Sequence, residues 1–235
     1  MKKITLVSML LIAFFNAFTQ SGFRLSLKGG AGVSSFYNAN MYSDDAIMVL
    51  PGVGYCIGGE FGYNAKWYNY GVTTGIYLRS YANHFEIPGI NGVPTVTNYT
   101  TLTGLEIPLL MRFRPTGDQR TKTVSMGGPY FEFGAVGFLL NEAKQKSTNS
   151  LTGESTYDVS SLYQSQSANL VIGFGSHQYG LERFGLTHGI RIHLNVLDIT
   201  SDDFKGLSYK GNEYKGTFPI CIQYLMAATL KFPTN

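Results

Sequence analysis

The stretch Thr101-Leu-Thr-Gly-Leu-Glu-Ile-Pro-Leu-Leu-Met-Arg-Phe-Arg114 has two unlike faces when it is read with a period of two. One face is apolar at five successive positions, from Leu105 to Phe113. The other face carries glycine, proline and charge, including Glu106 and Arg112. Alternation with this period is typical of a β-strand that lies between two different environments. The same pattern recurs along the chain, so the sequence predicts an all-β fold.

Seven further segments alternate in the same way, which predicts eight strands in total. They are 23–33, 49–63, 67–81, 129–140, 168–176, 185–196 and 218–232. Most connections between them alternate between long and short, as in barrels with short periplasmic turns and longer outer loops. We therefore predict an eight-stranded antiparallel up-and-down transmembrane β-barrel, closed by pairing of Phe23–Val33 with Phe218–Phe232.

The composition fits a barrel whose outer surface is not wholly in water. Charged residues make up 14% of the 235 residues, against about 25% in a typical soluble domain. Aromatic residues also make up 14%, and there are 28 glycines. The net charge of +3 is small and the chain has no run of Lys and Arg, so nucleic acid is not expected as a partner.

The first 19 residues have the features of an export signal. Two lysines precede an apolar run from Ile4 to Phe15, and Ala17 and Thr19 are small residues that suit a cleavage site. The apolar run is shorter than the roughly 20 residues that a membrane-spanning helix needs. We therefore expect a signal peptide at 1–19, a barrel domain at 20–235, and a location in the outer membrane.

The polar face of the predicted strands carries charges of both signs among small, uncharged residues. A face exposed to water would carry more charge than this one does. Inside a narrow barrel the charges must pair, because an unpaired buried charge is very costly. We therefore predict that eight charged side chains line the interior: Arg24, Lys28, Glu60, Arg79, Glu106, Arg112, Glu132 and Arg191.

Aromatic residues gather near the predicted strand ends, where the interfacial girdles of membrane barrels lie. One rim is predicted to carry Phe23, Tyr63, Trp67, Tyr68, Phe113, Phe131 and Phe232, and the other Tyr81, Tyr99 and Phe138. Eight strands leave an interior that side chains fill. Because the bulky residues Tyr77, Phe138 and Leu225 fall on the interior face, a diffusive pore is not expected.

Four segments resemble the PorT-like outer-membrane β-barrel family. They are Leu105-Glu-Ile-Pro-Leu-Leu110, Gly128-Pro-Tyr-Phe-Glu-Phe-Gly134, Ile172-Gly-Phe-Gly175 and Leu194-Asn-Val-Leu-Asp-Ile199, of which the first is the most specific. The resemblance implies an eight-stranded barrel in the outer membrane of a Gram-negative bacterium, and one type of member is tied to protein secretion. The chain departs from the usual barrel ending, because Phe232 is followed by Pro-Thr-Asn235.

The sequence offers little catalytic or metal-binding chemistry. A lipid-modifying hydrolase needs a histidine, a nucleophilic serine and an acid near the lipid-facing rim. His188, Ser176 and Asp198 are candidates, but no Gly-x-Ser-x-Gly motif accompanies them. Neither His-x-x-x-His nor Cys-x-x-Cys spacing is present. We therefore predict no catalytic residue, no metal and no cofactor.

The two cysteines, Cys56 and Cys221, fall on predicted strands that are not neighbours. Export makes a disulfide chemically possible. A disulfide nevertheless needs close Cα atoms, so we predict two free, buried thiols.

The most direct functional hypothesis is a non-enzymatic outer-membrane barrel that displays its outer loops as a scaffold, an interaction surface or a secretion accessory. The predicted loops are Ser34–Met48, Ala82–Asn98, Asn141–Ser167 and Leu197–Thr217. Expected partners are outer-membrane lipid, the barrel-insertion machinery, and an extracellular or secretion-system protein. Two alternatives stay open: a soluble exported lipocalin-like barrel that binds a ligand on an apolar inner face, and a lipid-modifying outer-membrane enzyme.

Overall fold

A computed structural model describes residues 22–38, 44, 47–64, 70–89, 95–113, 128–149, 151–179, 184–202 and 216–232. The predicted signal peptide and the rim residues Trp67 and Tyr68 lie outside the described residues. Within the described ranges, no helix is long and apolar enough to cross a membrane.

The described chain is almost entirely β-structure. Its strands are β1 Gly22–Asn38, β2 Met48–Asn64, β3 Tyr70–Ile87, β4 Val96–Phe113, β5 Gly128–Asn149, β6 Gly153–Asp158, β7 Gln166–Tyr179, β8 Phe184–Asn195 and β9 Thr217–Phe232. A short 3-10 helix, Ser160–Leu162, follows β6.

Eight of these strands form a closed antiparallel ring in the order β1, β2, β3, β4, β5, β7, β8 and β9. The ring closes where β1 pairs with β9 from Phe23↔Phe232 to Asn38↔Thr217. The predicted fold and its closure are therefore confirmed. The ninth strand, β6, stands outside the ring and pairs with the last six residues of β5, Lys144 to Asn149.

Several strands extend beyond their predicted ends. β1 continues to Asn38, β3 to Ile87 and β5 to Asn149, so the predicted loops Ser34–Met48, Ala82–Asn98 and Asn141–Ser167 are partly wrong. His177, which follows the predicted strand 168–176, lies within β7. In β5 the added residues are polar on both faces, so the apolar alternation disappears although the backbone pairing continues.

The apolar faces of the ring point outward and the charged faces point inward. In β4, Leu109 is 63% exposed whereas its neighbour Leu110 is fully buried. An apolar exterior and a polar interior are the reverse of a lipocalin-like barrel, so the soluble alternative is contradicted. The exposed apolar residues instead form the lipid-facing band of a membrane barrel.

Aromatic residues flank this band at the end where β1 begins and β9 ends. Phe23 packs against Phe61 and Tyr63, with ring centroids 5.4 and 6.0 Å apart, and Phe113 stacks on Phe133 at 5.6 Å. At the opposite rim, Tyr99 lies on the outer face and its hydroxyl donates to the carbonyl oxygen of Val53 at 3.1 Å. That carbonyl belongs to a bulge in β2, between Pro51 and Tyr55, where pairing with β3 shifts by one residue.

Two residues predicted for the same girdle point into the barrel instead. Tyr81 and Phe138 are buried and lie edge to face, with ring centroids 5.3 Å apart. Both occupy inward positions of their strands, so they close the barrel mouth rather than contact lipid. Their assignment to the girdle is therefore wrong, whereas the prediction that Phe138 falls on the interior face is confirmed.

A buried ionic network beneath a closed mouth

All eight predicted interior charges are buried inside the barrel, each at most 2% exposed. Glu60 of β2 is the centre of the larger group. It makes ion pairs with four cations and accepts a hydrogen bond from one tyrosine hydroxyl. These partners are Lys28, Arg112 (3.1 Å), Arg191 (2.9 Å), Arg24 (3.8 Å) and Tyr77 (2.7 Å).

A second carboxylate, Glu132 of β5, shares two of these cations. Arg112 donates to it from Nε and Nη2 at 2.9 and 2.6 Å, and Arg191 donates from Nε at 2.5 Å. Each of the two arginines therefore bridges both glutamates. Such bidentate contacts have a fixed geometry, so they hold four strands, β2, β4, β5 and β8, in one arrangement.

Glycine makes room for these side chains. A Cβ atom at Gly173 would lie 2.9 Å from the side chain of Glu132, and one at Gly62 would lie 2.5 Å from Nε of Arg24. Larger residues at these inward positions would displace the network. The polar face is thus rich in glycine because the lumen is narrow.

The remaining pair, Arg79 and Glu106, lies nearer the outer mouth and is in contact. Arg79 also donates to Gln223 at 2.7 Å and lies 3.0 Å from Nε2 of His193. The hydroxyl of Tyr81 donates to Glu106 at 3.3 Å. These contacts connect the ionic network to the aromatic layer at the mouth.

Bulky side chains fill the space between the two groups. Tyr77 and Leu225 are buried and cluster with Cys56.

Cys56 and Cys221 are both free and buried, as predicted. They lie opposite Gly30 and Ser34 of β1, which places them about 13 Å apart along the strand direction, beyond the roughly 7 Å limit for a disulfide.

Two outer connections close the barrel mouth. Residues 159–165 and 196–201, which we call the latch, form an isolated antiparallel bridge at Tyr163↔Thr200. Gln164 N donates to Ile199 O at 2.7 Å and Ser201 N donates to Leu162 O at 2.9 Å. Below the latch lies an apolar layer: Phe36, Tyr81, Leu102, Phe138, Ala143, Ile199 and Cys221, with Tyr163 packed against it. The latch was not predicted, because its two segments are short and mix apolar and polar residues without a clear period.

A hairpin of β5 and β6 projects beyond the apolar band. Its turn ends at Gly153, whose φ of 79° favours glycine. Lys146 pairs with Glu154 across the hairpin at 2.7 Å. At the base, Ser160 N donates to Asp158 at 2.9 Å, and hydrogen bonds from the side chain and backbone of Ser160 lower the pKa of Asp158. All six residues of β6 are exposed.

The hydrolase candidates do not assemble into a catalytic group. Ser176 and His188 are cross-strand neighbours. Asp198, however, lies past the end of β8 at Asn195, and the strand between His188 and Asn195 alone is about 23 Å long. Its carboxylate accepts hydrogen bonds from Thr200 and Thr217 instead. In the part of the chain that the structure describes, no group of three or more His, Cys, Asp or Glu residues could hold a metal ion.

Comparison with known proteins agrees with this architecture. Residues 17–200 match the family model described as outer membrane protein beta-barrel domain. No curated protein matches the chain. Among solved structures, OprG from Pseudomonas aeruginosa is similar, with 15% identity, coverage of 91% of this chain and 97% of that chain, and a TM-score of 0.45. Neisserial surface protein A follows with 12% identity, coverage of 90% and 97%, and a TM-score of 0.36.

Proposed function

Since the chain belongs to the outer membrane protein beta-barrel domain family, we propose that it is a closed, non-enzymatic barrel that displays its long connections outside the cell. The protein lies in the outer membrane. The observation that carries the proposal is the filled interior, in which eight paired charges and a layer of aromatic residues leave the strands to act as a rigid support. On such a support, recognition belongs to the loops.

The same features argue against a catalytic role. Transferring an acyl group requires a nucleophile and a base within hydrogen-bonding reach of each other. Within the described ranges, the candidate acid Asp198 is committed to Thr200 and Thr217. The buried carboxylates are likewise committed to arginine and lysine. These groups therefore serve the stability of the barrel in our proposal.

We place the chain with the PorT-like barrels on the strength of Leu105–Leu110, whose alternate residues face lipid and lumen. In this proposal the signal peptide at 1–19 directs export, the insertion machinery folds the barrel, and outer-membrane lipid contacts the apolar band. An extracellular or secretion-system protein is the proposed partner of the loops.

The orientation of the displayed connections can be tested on intact cells. A protease recognition site inserted between Leu151 and Thr152, at the exposed tip of the hairpin, should be cut when the protease is added outside. The same site inserted between β2 and β3 is the matched control and should be cut only after the outer membrane is permeabilised. Cleavage at the control site but not at the hairpin in intact cells would overturn the proposal.

A further inference from the structure

We propose that the free edge of β6 is a docking site for an extended peptide segment of a partner protein, which adds to the sheet as a further strand. The inference rests on the proposed function, because it needs the hairpin to be outside the cell. Its chemistry is that of β-strand addition, in which backbone hydrogen bonds supply affinity and side-chain positions supply specificity.

The strand β6 is the edge strand of a small sheet that extends beyond the barrel rim. One row of paired residues runs through Ile87, Val96, Asn149 and Gly153, and so crosses β3, β4, β5 and β6. In the described chain, β6 pairs with β5 alone. Every one of its six residues is exposed. Its outer row of backbone N–H and C=O groups is therefore open to another strand.

The edge lacks most of the features by which natural sheets block unwanted pairing, since only the carboxylates of Glu154 and Asp158 are of that kind. Lysine, proline, inward charges and bulges are the usual protections. The segment Gly153–Asp158 contains neither lysine nor proline, and its register with β5 is regular. Its central residues, Ser155, Thr156 and Tyr157, include good strand formers. Because the only protective charges on this edge are negative, we expect it to admit a basic strand and to repel an acidic one.

The edge is also preorganised. The Lys146–Glu154 pair fastens the hairpin near its tip. Near its base, Ser160 accepts a hydrogen bond from Ala143 N at 2.8 Å and donates its own N–H to Asp158. A strand that is already held in the pairing conformation loses less conformational entropy when it binds. The peptide therefore binds to a strand, β6, that already has the conformation needed for pairing.

The alternation of β6 describes the segment that would fit. Glu154, Thr156 and Asp158 share one face, and Ser155 and Tyr157 share the other. The complementary strand carries lysine or arginine opposite the two carboxylates, and at Glu154 this residue adds a second cation beside Lys146 of β5. It carries β-branched or aromatic residues opposite Tyr157, because such cross-strand pairs stabilise sheets. The proposed partner is therefore an extended basic segment with alternating lysine and valine-like residues.

The test uses a fluorescently labelled peptide of alternating lysine and valine, with the full-length barrel in zwitterionic nanodiscs. Two further peptides carry N-methyl groups on either the valines or the lysines. Alternate N–H groups of a bound strand face the template and the others face away. One methylated peptide should therefore bind about tenfold or more weakly by fluorescence anisotropy, while the other binds like the parent. Equal binding by both methylated peptides, or no binding of the parent, would overturn the proposal.

Two variants separate strand addition from simple charge attraction. Thr156→Lys places a lysine on the edge, and Thr148→Lys places the same charge on β5, one strand further in. Only Thr156→Lys should abolish peptide binding. Equal loss in both variants would mean charge attraction and would contradict strand addition. Failure here leaves the protease test of display untouched, since that test depends on the position of the hairpin and not on its edge.

Discussion

Arg112 and Arg191 illustrate how a narrow barrel accommodates buried charge. Each contacts both Glu60 and Glu132, so one arginine satisfies two carboxylates and draws its strands together. The interior nevertheless holds five cations and three carboxylates. Glu60 pairs with four cations. Each carboxylate should therefore contribute more to the stability of the barrel than a single cation does.

Glu60→Gln and Lys28→Met should differ strongly in their effects on unfolding. Removing the charge of Glu60 leaves its four cations around one remaining carboxylate, Glu132, which contacts only Arg112 and Arg191. The free energy of unfolding should therefore fall by about 3–5 kcal/mol. Removing Lys28 leaves Glu60 with three arginine partners, and the loss should be about 1 kcal/mol or less. Urea titration of the protein in lipid vesicles gives the free energy of unfolding of both variants. Equal losses would contradict the position of Glu60 as the centre of the ionic network.

The outer face can be tested at Leu109, which is 63% exposed at the centre of the apolar outer run Leu105–Phe113 of β4. Leu109→Arg places a charge in the hydrocarbon and should lower the free energy of unfolding by about 2–4 kcal/mol. Leu151→Arg, at the hairpin tip, adds the same residue at an exposed position in water and should change it by less than about 0.5 kcal/mol. Similar losses for both variants in vesicles would place Leu109 outside the hydrocarbon.

At the scale of secondary-structure elements, strand β5 shows which features can be predicted from sequence and which cannot. From Phe131 to Leu139 it separates lipid from lumen, so its apolar alternation predicts the strand and both faces. Beyond Ala143, which still packs in the apolar layer, its residues are polar and at least partly exposed. The continued pairing with β4 therefore leaves no hydrophobic pattern there. The interior charges could be predicted because pairing is compulsory in a narrow lumen. Their individual partners could not, since these depend on the register between strands.

The latch could not be predicted from sequence either, because its structure depends on contacts between two connections that are distant in sequence. Leu162 and Ser201 are neighbours across it, at a separation suited to a disulfide. Leu162→Cys with Ser201→Cys should therefore cross-link on mild oxidation and raise the free energy of unfolding by about 2–4 kcal/mol. Leu151→Cys with Ser201→Cys is the control pair and should remain reduced. A non-reducing gel distinguishes the two, and a failure of the first pair to cross-link would contradict the closed latch.

At the scale of the whole molecule, the parts form three levels along the barrel. The ionic network fixes one half of the lumen, the Arg79–Glu106 pair and Tyr81 connect it to the mouth, and the latch covers the apolar layer. The hairpin then stands free above the rim. The barrel is therefore a rigid support and the hairpin is an exposed surface, which is the arrangement that a display scaffold needs.

A closed lumen should also be electrically silent. An ion crossing the barrel would have to pass Tyr77, Leu225 and the paired carboxylates, all buried and in contact, and separating a buried ion pair costs several kcal/mol. The purified protein in a planar lipid bilayer should therefore give no steady current. Phe138→Ser, which opens only the aromatic layer at the mouth, should be equally silent because the ionic network below it is intact. A steady, ion-selective current from the unaltered protein would show that the lumen conducts and that the barrel is a channel rather than a support.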